Sequence, residues 1–147
     1  MVGGNGIEGI TFAPDPNHPE GGTFFVTKQS FGLEDREDPS AIFEVEASIK
    51  SNKSNEAEIV RCFYPRVVDL VDISYDYSSG NFYVISDENN VLFEMTREGK
   101  ILQTYDLPGK DQQGIAFDNE GFVYIAQDSG GIIRYKWNKS QGVMDLD

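Results

Sequence analysis

The chain has 147 residues, 39% hydrophobic and 12% aromatic, which is one domain's worth of core and too apolar for a disordered polymer. Its formal net charge of −13 argues against nucleic acid or anionic lipid as partners, because both demand Lys and Arg. The same acidity suits a hard cation such as calcium, whose ligands are oxygens, although solubility alone is the plainer reading.

Taken in chain order, residues 1–6 lack the basic and apolar regions of a signal peptide, so none is expected in this chain. Gly3-Gly4-Asn5-Gly6 has no helix after it and is not a phosphate loop. Residues 6–13 read as a short strand. The single histidine, His18, follows in a proline-rich turn with no nucleophile motif beside it, so a catalytic triad is not expected. Residues 22–28, 41–46 and 58–64 are β-prone runs. The last holds the only cysteine, Cys62, expected as a buried strand residue; one cysteine rules out an internal disulfide and a zinc cluster. Two polar insertions, 29–40 and 48–56, are expected as exposed, mobile loops. The acidic run at 34–38 lacks the ligand spacing of an EF-hand.

Residues 71–75, 82–86, 91–96 and 101–107 form a second set of four strands, and 112–118, 121–127, 131–137 and 142–147 a third. No helix is predicted, and no run approaches a membrane span. The three sets are copies of one pattern. Gly6-Ile7-Glu8-Gly9-Ile10-Thr11-Phe12-Ala13 returns as Leu70-Val71-Asp72-Ile73-Ser74-Tyr75-Asp76 and as Gln112-Gln113-Gly114-Ile115-Ala116-Phe117-Asp118. Each copy is followed by a glycine turn and an aromatic run. Repeated four-stranded units predict an all-β chain of three antiparallel propeller blades, about 6–65, 69–108 and 111–147, within one domain spanning 1–147. A sandwich of the same strands is the alternative.

In a propeller, the loop into each innermost strand and the loop after each second strand meet at one face near the axis. That gathers Glu8, Asp69, Asp72, Asp111 and Gln113 with Lys28, Asp87, Glu88, Gln127 and Asp128. Glu8, Lys28, Gln113 and Asp128 are the candidate ligand-binding residues. Glu8, Asp72, Asp87 and Glu88 are the candidate ligands of a calcium ion. Solvated turn residues are the plainer reading of the same side chains. No catalytic residue is assigned. Phe25, Tyr83 and Tyr124 hold equivalent places and are expected to pack blade on blade.

The phrases Ile7-Glu8-Gly9-Ile10-Thr11-Phe12, Leu70-Val71-Asp72-Ile73-Ser74-Tyr75-Asp76 and Gln112-Gln113-Gly114-Ile115-Ala116-Phe117-Asp118, each with its following aromatic strand, resemble the SdiA-regulated (YjiK-like) propeller family. More distantly they are similar to NHL and gluconolactonase-like rings. The resemblance implies the C-terminal three blades of a six-bladed ring, often exported or membrane-anchored in bacteria. The chain departs from the family pattern at Gln113, where the family often has Glu, and at Val71-Asp72, where it has Ser-Gly. The resemblance points to a non-catalytic binding or scaffold module for a small molecule or protein, with calcium near the axis. The alternative is a metal-dependent hydrolase of the lactonase or phosphoesterase type, with Glu8 or Asp87 as the poised carboxylate. Three blades leave two open edges, which a homodimer or further blades would cover.

Overall fold

A computed structural model describes residues 6–32, 38–138 and 143–146, with Asn138 and the last segment as backbone only. Twelve strands and no helix occur among the described residues. Blade 1 comprises β1 (Ile7–Pro14), β2 (Gly22–Lys28), β3 (Ala41–Glu46) and β4 (Glu58–Phe63). Blade 2 comprises β5 (Leu70–Asp76), β6 (Asn81–Ser86), β7 (Val91–Met95) and β8 (Ile101–Asp106). Blade 3 comprises β9 (Gln112–Phe117), β10 (Phe122–Gln127), β11 (Ile132–Asn138) and β12 (Val143–Leu146). Each blade is a four-stranded antiparallel meander in sequence order. The expected architecture of three propeller blades is the observed one.

The first strands β1, β5 and β9 lie side by side. Their closeness is demanded at Gly9, where an added Cβ would stand 2.7 Å from the Asp72 Cα. Each pairing of a first strand with its second carries a register shift at the same place, near Ile7–Ile10, Leu70–Asp72 and Gln112–Gly114. Such bulges bend a strand and re-aim its side chains.

The core lies between blades, and period-2 alternation explains it. Phe82 and Val84 on β6 face blade 1, packing with Phe25, Ile42 and Ile73. Tyr83 and Ile85 face blade 3, packing with Ile115, Val123 and Ile125. Phe82, Tyr83, Val84 and Ile85 are therefore all wholly buried. Each such side chain contributes about 1.5–3 kcal/mol of hydrophobic free energy.

Three expectations need correction. Cys62 is exposed, because β4 is the outermost strand of its blade and presents nearly all its residues to solvent. The insertions are not wholly exposed. Ser30 and Ser40 are buried, and the Ser30 N–H donates to Ser40 Oγ at 3.2 Å. Residues 33–37, with most of the acidic run, lie outside the described residues. In the second insertion, buried Glu20 accepts the N–H groups of Ile49 (2.7 Å), Lys50 (2.6 Å) and Ser51 (3.2 Å), and the Ser51 hydroxyl. The Ser51 hydroxyl and these amides hold the Glu20 carboxyl at a pKa of about 2. Finally, Phe25 and Tyr83 pack between blades, but Tyr124 points to the outward side of blade 3 and donates its hydroxyl to Asp118 Oδ2 at 3.0 Å.

Candidate functional site

At the face where the first strands begin, the predicted loops do meet. The Gln29 N–H donates to Gly6 O at 2.8 Å, Asp87 N–H to Asp69 O at 3.2 Å, and Asp128 N–H to Asp111 O at 2.8 Å. One contact thus recurs in all three blades. Asp69 and Asp111 hold it with left-handed backbones, φ 54° and 59°, which Asp tolerates better than most residues.

The carboxylates here tie blades together. Asp72 accepts the Ile73 N–H on Oδ1 at 2.8 Å and, across the junction, the Ile115 N–H on Oδ2 at 2.9 Å. Asp87 Oδ1 accepts the Gln112 N–H of blade 3 at 2.8 Å. Asp69 accepts the Gln29 side-chain amide of blade 1 on Oδ1 and the Glu88 N–H on Oδ2 at 3.1 Å. These bonds answer first-strand and turn N–H groups that β pairing leaves open.

Burial pushes the Asp72 carboxyl above its usual range, while the two amides pull it back. Burial also pushes Asp87 up, and the negative charges of Asp69, Asp111 and Glu88 add to that, against the Gln112 amide. The structure therefore brings Asp69, Asp87, Glu88 and Asp111 into electrostatic contact at the junction of blades 2 and 3. Glu8 is exposed on β1, Gln113 on β9, and Glu88 and Asp128 in turns. Lys28 is engaged by Asp38 of the first insertion. Among the described residues no three His, Cys, Asp or Glu side chains converge as a metal requires. Both oxygens of Asp72 and one oxygen of Asp87 accept backbone amides.

A different site lies at the opposite face, where β5 and β9 end. A cleft of about 640 Å³ opens there between blades 2 and 3. Tyr75, Tyr77, Phe117 and Trp137 supply its aromatic surface, and Asp76 and Asp118 its charge; among the described residues the lining holds no Lys, Arg or His. Tyr75 and Tyr77 meet edge to face at 5.0 Å, and Trp137 meets Phe117 likewise at 6.2 Å. The Trp137 Nε1–H is buried and has no hydrogen-bond partner among the described residues.

The two aspartates occupy equivalent repeat positions and shape equivalent turns. Asp76 Oδ1 accepts the Ser78 N–H at 3.1 Å. Asp118 Oδ1 accepts those of Glu120 (2.8 Å) and Phe122 (3.0 Å). The Phe122 amide, followed by the Glu120 amide and Tyr124 hydroxyl, holds the Asp118 carboxyl below its ordinary range despite some desolvation. Sequence reasoning missed this site because it followed the other ends of the same strands. The recurrence of Asp76 and Asp118 after Tyr75 and Phe117 was the available signal.

The model of the SdiA-regulated family matches residues 3–130. No curated relative matches the chain. Among solved structures, a protein of unknown function from Bacteroides caccae is similar over 94% of this chain and 44% of its own, with a TM-score of 0.57 at 17% identity. Virginiamycin B lyase from Staphylococcus aureus is similar over 92% of this chain and 42% of its own, with a TM-score of 0.47 at 16% identity. The chain thus spans less than half the length of either structure. At such identity the first likeness speaks for the fold alone.

Proposed function

The chain belongs to the SdiA-regulated family, and from that premise we propose a non-catalytic binding module whose ligand is a small organic cation. The observation that carries this reading is the cleft between blades 2 and 3. Its four aromatic rings and two carboxylates, with no basic side chain among the described lining residues, match an ammonium group carried on an apolar body. Ring faces attract a cation by about 0.5–2 kcal/mol each, and the carboxylates add long-range attraction. Asp118 remains ionised well into mild acid, so the charge persists at neutral pH.

Trp137 is the only tryptophan, so intrinsic fluorescence reports on the cleft directly. Benzyltrimethylammonium is expected to change the emission and raise the melting midpoint, whereas its neutral carbon isostere does neither. Tyr77→Ala removes an exposed ring and is expected to weaken binding several-fold without loss of fold. Equal responses to the cation and the isostere would refute cation recognition. Turnover of lactones, esters or phosphates that falls with chelator, and in Glu8→Gln or Asp87→Asn, would replace the binding module with the hydrolase.

Calcium at the opposite face is the second reading. It is favoured by the mutual repulsion of Asp69, Asp87, Glu88 and Asp111, which a cation would relieve. A melt with calcium and with EDTA separates the outcomes: a midpoint raised by calcium and lowered by Asp87→Asn supports it, and identical midpoints end it.

A further inference from the structure

We propose that the second insertion, residues 48–56, is a strap fastened by neutral His18 and loosened when that imidazole takes up a proton. The fastening starts in the turn between β1 and β2. Its backbone closes through the Asp15 N–H on Gly21 O (2.9 Å), the His18 N–H on Asp15 O (3.0 Å) and the Gly21 N–H on His18 O (2.9 Å). Asp15 Oδ1 accepts the Asn17 N–H at 2.9 Å, and His18 Nδ1 accepts the Glu20 N–H at 3.0 Å. A ring nitrogen that accepts carries no proton, so this bond fixes the neutral tautomer with its hydrogen on Nε2. That hydrogen faces Glu46 Oε2 at 3.3 Å.

Glu20 carries the fastening to the strap. Its carboxylate is buried and takes the successive N–H groups of Ile49, Lys50 and Ser51, a nest of amides around one anion. The Lys50 side chain lies against Gly21, where an added Cβ would stand 3.1 Å from its Cε. Strap and turn therefore meet at the two residues that the His18 bond holds in place. Between them they bound a cavity of about 410 Å³, with Pro19 and Glu20 on one side and Ser48 and Ser54 on the other.

Histidine is the side chain that ordinarily changes charge between about pH 5 and 8. The Glu20 carboxyl, with its pKa of about 2, stays ionised throughout that range, so the nest keeps its anion while the imidazole changes. A proton on Nδ1 turns the acceptor into a donor and sets it against the Glu20 N–H. The imidazolium finds its counter-charge at Glu46. Glu46 stands directly opposite Glu58 across β3 and β4, a like-charge pair that a positive ring relieves. The remaining charges at this corner are Asp15 in the same turn and Lys50, Lys53 and Glu56 of the strap. Acid thus exchanges the turn bond for Glu46, frees the Glu20 backbone and lets the strap open the cavity.

Amide hydrogen exchange at Ile49, Lys50 and Ser51, corrected for the intrinsic pH dependence of exchange, tests the proposal. Between about pH 7.5 and about pH 5.5, either side of the ordinary histidine range, protection of the three amides is expected to fall. The fall is about fivefold, the loss of one hydrogen bond's net contribution, while the amides of β6 keep their protection. His18 is the only histidine, so its ring resonance reports the proton directly, and its midpoint is expected to match that of the fall. His18→Asn keeps an acceptor for the Glu20 N–H without a titrating group and is expected to hold protection constant. Glu46→Gln removes the counter-charge and is expected to lessen the fall. Equal protection of the parent chain at both pH values, a midpoint apart from that of the ring, or an undiminished fall in His18→Asn would overturn the proposal.

Discussion

Blade 2 and blade 1 carry the same pattern of residues and live in different surroundings. Blade 2 has a neighbour on each side, so both faces of β6 disappear into core. Among the described residues blade 1 packs on one neighbour, and on its other face Ile10 is exposed and Phe24 and Phe43 are only half-buried. The contrast teaches that the apolar alternation of this chain is written for stacking. A strand's burial depends on whether the next blade is present, not on its own composition. The polar residues follow the same logic, since Asp87 caps an amide across a junction and Asp128, its counterpart, caps none among the described residues.

The sharpest way to break the comparison is to truncate matching aromatics. Phe82→Ala opens a cavity among Phe25, Tyr75 and their neighbours and is expected to cost about 3–5 kcal/mol in urea melts. Phe24→Ala, measured on dilute single chains, is expected to cost well under half of that. Equal losses would mean that blade 1 is already covered.

Asp72→Ala comes next. It leaves the Ile73 and Ile115 amides without acceptors, at about 1–3 kcal/mol for each buried donor. Asp87→Ala removes one interblade cap and is expected to cost about 1 kcal/mol. Asp128→Ala, at the counterpart position, is expected to cost less than Asp87→Ala in the same melts.

The smallest effect is a matter of pH. Glu20 has its pKa lowered from 4.5 to about 2. Its stabilising contribution is therefore present above pH 4.5 and lost as pH falls toward 2. Asp72 and Asp87 act with the opposite sign. Raised above 3.8, each binds a proton more readily when folded, so acidification through that range adds to stability. Glu20→Gln is expected to lessen the acid-side decline in the melting midpoint between pH 4.5 and 2, leaving the part that Asp118 contributes. An unchanged decline would place its origin elsewhere.

Much of the near face could be anticipated from the repeat. The loops carrying Asp69, Asp87 and Asp111 were expected to meet, and they do, because each is one residue from a strand end that the repeat had located. The partners of those side chains were not legible. Asp72 reaches Ile115 only because a bulge turns it toward the next blade, and a bulge leaves no mark in a period-2 pattern. Cys62 sits in a run as apolar as that of β6, yet the last strand of a blade has no neighbour beyond it.

By itself, the sequence determined the strands, their turns and their grouping into three equivalent blades. Those features follow from side-chain alternation and turn residues only a few positions apart. The tertiary structure decided what joins distant positions. Glu20 anchors an amide thirty positions away at Lys50, Asp72 crosses to Ile115, and the ends of β5 and β9 enclose a cleft with Trp137. Composition cannot specify such pairings, because each depends on how the twist and spacing of packed blades bring chain-distant groups within hydrogen-bonding or van der Waals reach.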